Sequence, residues 1–243
     1  MDEATIGAVE PRSVAAGRGI SWWSEAWALF TKNAGMWIAL SLILLVILVV
    51  LSCIPVLGSL AASLLLPVFV GGWLLAARKV ETGGALELGD LFAGFKDKLT
   101  PLLVLGALVL VATLVIGAVV GALGFGALMG MVMGGSQLST GGMAAAMGAT
   151  MLALLIGLTL ALVVSMAIWF APALVVFHNV APVEALKASV AASRKNIVPF
   201  LLYGVIYIVA TILASIPFGL GWIVLVPVLL LTVYVSYKDV FGE

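Results

Sequence analysis

Charged side chains are scarce in this sequence: Asp, Glu, Lys and Arg make up 9% of its 243 residues, and hydrophobic residues make up 64%. An ordinary soluble domain has about 25% charged and about 45–50% apolar residues. Several uncharged stretches exceed about 18 residues, the length at which an apolar helix can cross a bilayer. This shortage of charge excludes an ordinary soluble domain and predicts a polytopic membrane protein.

Cysteine and histidine each occur once, as Cys53 and His178. A lone cysteine excludes an intramolecular disulfide and a cysteine-based metal cluster. The lone histidine stands at the end of an apolar stretch, where we expect it to cap helix carbonyls rather than to catalyse a reaction. The sequence contains no Ser-His-Asp set, no intramembrane carboxylate pair and no phosphate-binding glycine loop. We therefore expect no enzymatic activity and no cofactor.

The few charged residues leave three long uncharged segments, 33–77, 99–183 and 196–237. Two membrane-spanning helices and a tight turn need about 42–45 residues, which fits the first and third segments. An even number of crossings in each segment places all charges on one side, and the Lys and Arg residues identify that side as cytoplasmic. The predicted fold is an all-α bundle of six transmembrane helices with both termini cytoplasmic. The spans are expected at about 34–54, 56–77, 101–123, 152–177, 198–216 and 220–237.

Two turns of nearly the same sequence join the helices of the first and third hairpins. They read SCIPVLG at 52–58 and SIPFGLG at 215–221, without a charged residue. We expect proline to end the first helix of each hairpin and glycine to let the chain reverse.

A short amphipathic stretch precedes each hairpin: SWWSEAWALFTKN, LGDLFAGFKDKL and APVEALKASVAASRKN. Each is predicted to form a cytoplasmic interfacial helix, with Trp22, Trp23 and Trp27 at the level of the lipid headgroups. This recurring order predicts three parallel repeats. A polar tail at 1–19 is expected to precede one membrane domain at 20–243, with repeats at about 20–79, 87–178 and 181–238.

The returning helix of each hairpin contains a proline. These residues, Pro67, Pro172 and Pro227, are expected to kink their helices. Proline also frees the carbonyl four residues earlier, and three such carbonyls could together accept a cation or a polar headgroup. The favoured interpretation is that each proline only kinks its helix and that neighbouring side chains form hydrogen bonds to the freed carbonyl.

Glycine is abundant in the middle hairpin and follows four-residue steps typical of closely packed membrane helices. Packing within the chain is favoured over homo-oligomer formation for these residues, which are Gly117, Gly121, Gly126 and Gly130. The two halves of the hairpin, 101–134 and 143–177, would each form a helix of about 50 Å, against a hydrocarbon core of about 30 Å. We expect the Gly- and Met-rich insert 124–151 to fold back, bending at its glycines, or to be covered by a partner.

Methionine forms a ladder with four-residue spacing at Met143, Met147 and Met151. Thioethers are soft ligands that suit Cu(I), so these residues are weak candidates for a metal site. Adaptable filling of apolar packing is the favoured interpretation.

Several segments resemble an uncharacterised family of bacterial multi-pass inner-membrane proteins, known as a domain of unknown function. They are GRGISWW, IPVLGSLAASLLLPVF, DLFAGF, FAPALVVFH and SYKDVF. The chain is more distantly similar to the membrane domain that accompanies some glycerophosphodiester phosphodiesterases. The resemblance covers nearly the whole chain except about 124–150. It implies location in the bacterial cytoplasmic membrane and supplies no catalytic residue.

Three functions agree with these features. The first is a non-enzymatic protein that organises membrane lipids or partner proteins. A membrane-protein partner or a second copy of the chain would bind it through residues 117–151. The second is a permease or channel for a neutral or lipid-like solute, with a cavity lined by Ser63, Ser165 and Tyr207. The third is Cu(I) handling through the methionine ladder. We expect no nucleic-acid partner.

Overall fold

The computed structural model describes residues 10–96, 98–133 and 140–242. Within these ranges the chain forms eight α-helices and one 3₁₀ helix, without strands. A short helix followed by two long apolar helices occurs three times in this order. The elements are α1 (Arg18–Thr31), α2 (Ala34–Ser52), α3 (Leu57–Glu81), the 3₁₀ helix Leu88–Phe95, α4 (Leu99–Met133), α5 (Thr140–His178), α6 (Pro182–Lys195), α7 (Ile197–Ser215) and α8 (Trp222–Phe241).

Six of these helices are long and apolar enough to span a membrane, which confirms the predicted all-α, six-span architecture. The fourth span is longer than predicted, because α5 begins at Thr140 rather than near residue 152. Likewise α4 continues through Gly124 and Gly126 as far as Met133. The other expected bending points, Gly134 and Gly135, lie outside the described residues. The apolar spans are Ala34–Ser52, Leu57–Glu81, Leu99–Gly124, Met143–His178, Ile197–Ser215 and Trp222–Phe241.

The chain divides into two compact units. One unit, Leu108–Ser165, consists of the adjoining parts of α4 and α5, and we call it the middle hairpin. The other contains the residues up to Ala107 and from Met166 onwards, and we call it the main body. The division falls inside two continuous helices rather than at a loop.

The main body has a core rich in large aromatic side chains. Trp22, Trp37, Trp73, Phe170 and Tyr237 are each at most 1% exposed. The indole rings from α2 and α3 lie with their centroids 5.0 Å apart. Each such ring buries about 150–250 Å², so a few of them dominate the packing of four spans and one short helix.

Short helical segments dock on the spans of the main body through direct backbone contact. A Cβ atom at Gly72 of α3 would lie 2.2 Å from the carbonyl oxygen of Leu91, in the 3₁₀ helix. A Cβ atom at Gly19 of α1 would lie 1.9 Å from the carbonyl oxygen of Pro199, in α7. Glycine is required at both positions because any other side chain would separate the backbones. The predicted interfacial segments therefore bury one face against protein, and the second of them is a 3₁₀ helix.

The two Ile-Pro turns place a large apolar residue in the left-handed backbone region. Val56 has φ 60° and Phe218 has φ 52°, and the adjacent Gly219 has φ 81°. In the first turn, therefore, a valine and not Gly58 adopts the conformation that reverses the chain. Gly58 serves a different purpose: a Cβ there would lie 1.7 Å from the carbonyl oxygen of Leu51. The expectation that glycine supplies the reversal holds for the second turn alone.

The contact between Gly72 and the 3₁₀ helix gives a first prediction. Gly72→Ala should lower the free energy of unfolding by about 1–3 kcal/mol, because the new methyl group cannot be accommodated without moving backbone. Thermal unfolding of the purified protein in micelles measures this change.

Gly35→Ala is the matched control, since Gly35 is also helical and a Cβ there meets no atom within 4 Å. It should leave stability unchanged or raise it by up to about 1 kcal/mol through helix propensity. Equal melting temperatures for the two variants would contradict the docking described here.

Candidate functional site

Charged and polar residues of the main body meet where several span ends and the N-terminal segment come together, and we call this region the charged end. Asp239, near the end of α8, is its centre. One carboxylate oxygen accepts hydrogen bonds from Arg18 Nε (2.6 Å) and from Trp22 Nε1 (2.9 Å). Arg18 also pairs with Glu25 at 2.8 Å. The hydrogen bond to Asp239 raises the pKa of the Arg18 guanidinium above its usual value. A single carboxylate thus fixes α1 against α8.

The ends of α3 and α8 are joined by a second group of polar contacts. Glu81 accepts hydrogen bonds from Lys238 and from the Tyr234 hydroxyl, the latter at 2.7 Å. The carboxylate closes α3 and the two donors lie on α8. Hydrogen bonds to an ionised group contribute about 1.5–3 kcal/mol each, so this contact holds the two helix ends in register.

Asn196, between α6 and α7, holds the N-terminal segment in place. The side chain is fully buried. Its carbonyl oxygen accepts the amide hydrogen of Val14 at 2.9 Å, and its amide donates to the carbonyls of Arg12 (3.0 Å) and Ala192 (2.9 Å). Because a buried amide without partners is costly, these bonds fix the approach of residues 12–14 to the charged end.

A recess of about 370 Å³ opens between these elements. Its wall combines four basic and three acidic side chains, and Leu29 and Val235, at 6% and 8% exposure, supply apolar surface. The complete lining is Arg12, Arg18, Glu25, Ala28, Leu29, Lys32, Glu81, Val235, Lys238 and Asp239.

The three predicted helix-kink residues, Pro67, Pro172 and Pro227, are buried within α3, α5 and α8. Near Pro172 a side chain enters the backbone ladder of α5. The Ser189 hydroxyl accepts the amide hydrogen of Phe170 at 3.0 Å and donates to the Met166 carbonyl at 2.6 Å. A hydroxyl that links an amide to the carbonyl four residues earlier is a recognised cause of helix bending. The serine was not among the sequence-predicted site residues.

The three tryptophans predicted as interfacial anchors have different surroundings. Trp22 is fully buried and bonded to Asp239, so its indole packs inside the main body rather than on its surface, and its level relative to the headgroups stays a prediction. Its side chain packs inward because the ring of Phe200 lies 5.3 Å away. Trp23 is half-buried and stacks on Tyr203 at 5.1 Å. Trp27 is 50% exposed and is the anchor whose surface agrees with an interfacial position.

The residues proposed for a solute cavity do not supply one in the geometry of the described chain. The Ser63 hydroxyl donates to the carbonyl of Ser59, one turn earlier in α3. The Ser165 hydroxyl likewise donates to Leu162 within α5. Tyr207 is 39% exposed on α7.

The lone histidine, His178, lies 2.6 Å from the Tyr237 hydroxyl.

The middle hairpin is held by a seam of small and branched residues. Half-buried positions recur every four residues along α4, at Ala112, Ile116, Val120 and Gly124. On α5, a Cβ at Gly157 would lie 2.7 Å from a methyl group of Val120. The glycine that allows close approach is therefore on α5, and the sequence analysis overlooked it.

The predicted packing glycines of α4 are not part of this seam. A Cβ at Gly117 or Gly121 would meet no described atom within 4 Å, so the expected packing inside the chain is wrong for these two residues. The intervening Val120 takes the contact with α5 instead. The surroundings of the other two, Gly126 and Gly130, lie outside the described residues.

The methionine ladder is exposed on α5. Met143, Met147 and Met151 are 45%, 66% and 63% exposed, so they do not fill packing space within the described structure. No group of three or more His, Cys, Asp and Glu side chains that could hold a metal occurs within residues 10–96, 98–133 and 140–242.

Comparison with known proteins places these features in a family. Residues 25–239 match a family described as a domain of unknown function (DUF7847). The chain belongs to this family. A protein of Burkholderia thailandensis named as a probable inner membrane protein is 28% identical over 212 residues, covering 86% of this chain and 78% of the relative. No solved structure matches the chain.

The match to the DUF7847 family begins after Arg12, Arg18 and Trp22 of the charged end and includes five spans and the sixth as far as Asp239. It confirms the expectation of an uncharacterised membrane family. Sequence reasoning missed three polar residues that organise this end, Asp239, Glu81 and Asn196. Each stands where an apolar stretch begins or ends, and that position was the available signal. Their partners come from distant parts of the chain, so their pairing could not be read from spacing.

Asp239 gives a second prediction. Asp239→Ala should lower the free energy of unfolding by about 1–3 kcal/mol, because it leaves the buried indole N–H of Trp22 without its acceptor and removes one of the carboxylate partners of Arg18. Thermal unfolding in micelles should show the loss, and limited proteolysis should show earlier cleavage near residues 12–18.

Glu184→Ala is the matched control, because it breaks an exposed pair with Lys187. That change should cost less than about 0.5 kcal/mol. Comparable losses in the two variants would show that Asp239 is not the organising contact.

Proposed function

We propose that this protein is a non-enzymatic assembly component of the bacterial cytoplasmic membrane, which binds a transmembrane helix of a partner or of a second copy through its middle hairpin. The observation that carries this proposal is the exposure of the hairpin. Only 11% of the most apolar stretch of α4 and 6% of that of α5 are buried, which is less than in any other span: 17% for α7, 22% for α2, 50% for α3 and 56% for α8. The hairpin thus presents apolar surface that the chain itself does not use.

Helix length supports the same proposal. At 1.5 Å per residue, α4 with 35 residues is about 52 Å long and α5 with 39 residues about 58 Å, against a hydrocarbon core of about 30 Å. Tilting absorbs only part of such an excess. Apolar helix surface beyond the hydrocarbon is unfavourable in water, so cover by another apolar surface stabilises it.

The open glycines of α4 supply the contact face. Small residues four positions apart let two membrane helices approach closely. At Gly117 and Gly121 this face is unoccupied by the described chain, because the seam with α5 uses Val120 instead. A helix from outside the chain therefore has a place to dock.

Neither the permease alternative nor Cu(I) handling is favoured by the geometry. The side chains proposed to line a solute path bond to their own helices or face outward. The described residues contain no group of three or more His, Cys, Asp and Glu side chains that would support a metal site. The distant resemblance to the membrane domain that accompanies some glycerophosphodiester phosphodiesterases stays a prediction and supplies no residue to this proposal.

The proposed orientation places the charged end and both termini in the cytoplasm, because the Lys and Arg residues lie there. Alkaline phosphatase fused after Gly58, Gly135 or Gly219 should be active, since those points would be periplasmic. Fusions after Gly84 and Glu243 should be inactive. An active fusion after Gly84 would contradict the orientation without bearing on the partner helix.

Crosslinking in native membranes tests the partner helix. A photoreactive amino acid at Ala118, beside the open glycines, should give a protein adduct of defined mass. The same amino acid at Leu201, which is 64% exposed on α7, is the matched control and should give lipid adducts. Gly117→Leu together with Gly121→Leu should abolish the protein adduct, because the added side chains prevent close approach.

Mass spectrometry of the adduct distinguishes a second copy from a different membrane protein, and either supports the proposal. Gly204→Leu on α7 is the control for the added bulk, since a Cβ there also meets no atom within 4 Å. Adducts to lipid alone from Ala118 would overturn the proposal. So would a protein adduct that survives the double substitution.

A further inference from the structure

The recess at the charged end has a charge pattern that leaves positive groups available to a ligand. Its three carboxylates are all paired: Asp239 and Glu25 with Arg18, and Glu81 with Lys238. Lys32, by contrast, makes no hydrogen bond and no close ion pair among the described residues, and its charge acts on Glu81 only through space. The four basic and three acidic side chains of the wall leave one excess positive charge.

Arg12 supplies a second available donor group. Its Nε donates to the backbone carbonyl of Asp239 at 2.6 Å, which fixes the plane of the guanidinium. Its Nη2 lies 3.8 Å from the Asp239 carboxylate, too far for a hydrogen bond. The side chain is 58% exposed. A fixed guanidinium whose terminal N–H groups are not hydrogen-bonded within the described residues has the fork geometry that suits phosphate oxygens.

The recess lies at the level where three apolar spans end. Lys32 stands two residues before the first residue of α2, Glu81 is the last residue of α3, and Lys238 belongs to the last turn of α8. The ends of spans coincide with the headgroup region of a bilayer. A ligand entering from the membrane would reach the recess with its headgroup first.

The wall of the recess changes from polar to apolar. Leu29 and Val235 are nearly buried and lie beside the charged groups. A volume of about 370 Å³ falls within the range of ligand sites, about 300–1,000 Å³. Apolar surface next to fixed cations suits an ester that carries a phosphate and a hydrocarbon part.

We propose that this recess binds the phosphate ester of a membrane phospholipid headgroup, with the Lys32 ammonium and the Arg12 guanidinium on the phosphate oxygens. Lys32 acts as a point charge and Arg12 as the oriented donor. The paired carboxylates define the remaining wall. This site belongs to the main body and is independent of the partner helix proposed for the middle hairpin.

Native mass spectrometry of the full chain, purified and delipidated in micelles, tests the site. Titration with phosphatidylglycerol should show one bound lipid at saturation, and diacylglycerol, which lacks the phosphate, should not bind. Lys32→Gln should weaken phosphatidylglycerol binding by about tenfold or more, because it removes a charge-assisted contact. Lys32→Arg should bind like the unaltered protein, because it keeps the charge.

Lys187→Gln is the matched control, since Lys187 is an exposed lysine of α6 that lies outside the recess. It should bind phosphatidylglycerol like the unaltered protein. Melting temperatures verify that each variant is folded. Equal binding by Lys32→Gln and the unaltered protein would overturn the proposal.

Glycerol 3-phosphate distinguishes a lipid from a soluble ligand, because it has the phosphate ester without acyl chains. We expect it not to displace phosphatidylglycerol at equal concentration. Displacement that depends on Lys32 would retain the phosphate site and overturn the assignment to a lipid.

Discussion

Hydrocarbon tolerates very little charge, and the main body is built around this constraint. A carboxylate or ammonium group near the bilayer is stable only if it is paired or reaches the aqueous boundary. The charged end meets both conditions, because Asp239 and Glu81 each accept two strong hydrogen bonds. These hydrogen bonds hold the first residues of α1 and the ends of α3 and α8 in fixed positions relative to one another. The recess between α1, the end of α3 and α8 is lined by these paired residues.

The two compact units use different means of packing. In the main body, aromatic rings fill the space between helices, and glycines let backbones touch where short segments dock. In the middle hairpin, small and branched residues form a narrow seam, and most of the apolar surface faces outward. The first arrangement resembles the interior of a soluble protein, whereas the second is stable only in an apolar environment.

Much of the architecture could be predicted from the sequence, because uncharged length alone specifies spans. The six helices and the short segments before each pair follow from apolar runs and amphipathic spacing. The chemistry of the charged end could not be predicted in this way. Asp239 bonds to residues 217 and 221 positions earlier in the chain, and no local pattern indicates such a pairing. The burial of Trp22 could not be predicted for the same reason, since it depends on α7 and α8.

Ser189 makes the shape of one span depend on a segment that lies outside the spans. The hydroxyl that links the Phe170 amide to the Met166 carbonyl comes from α6, 19 residues after Phe170. Without that hydroxyl the amide of Phe170 has only its own helix to donate to. The backbone geometry next to Pro172 therefore depends on the docking of α6, a short helix that is not one of the six apolar spans.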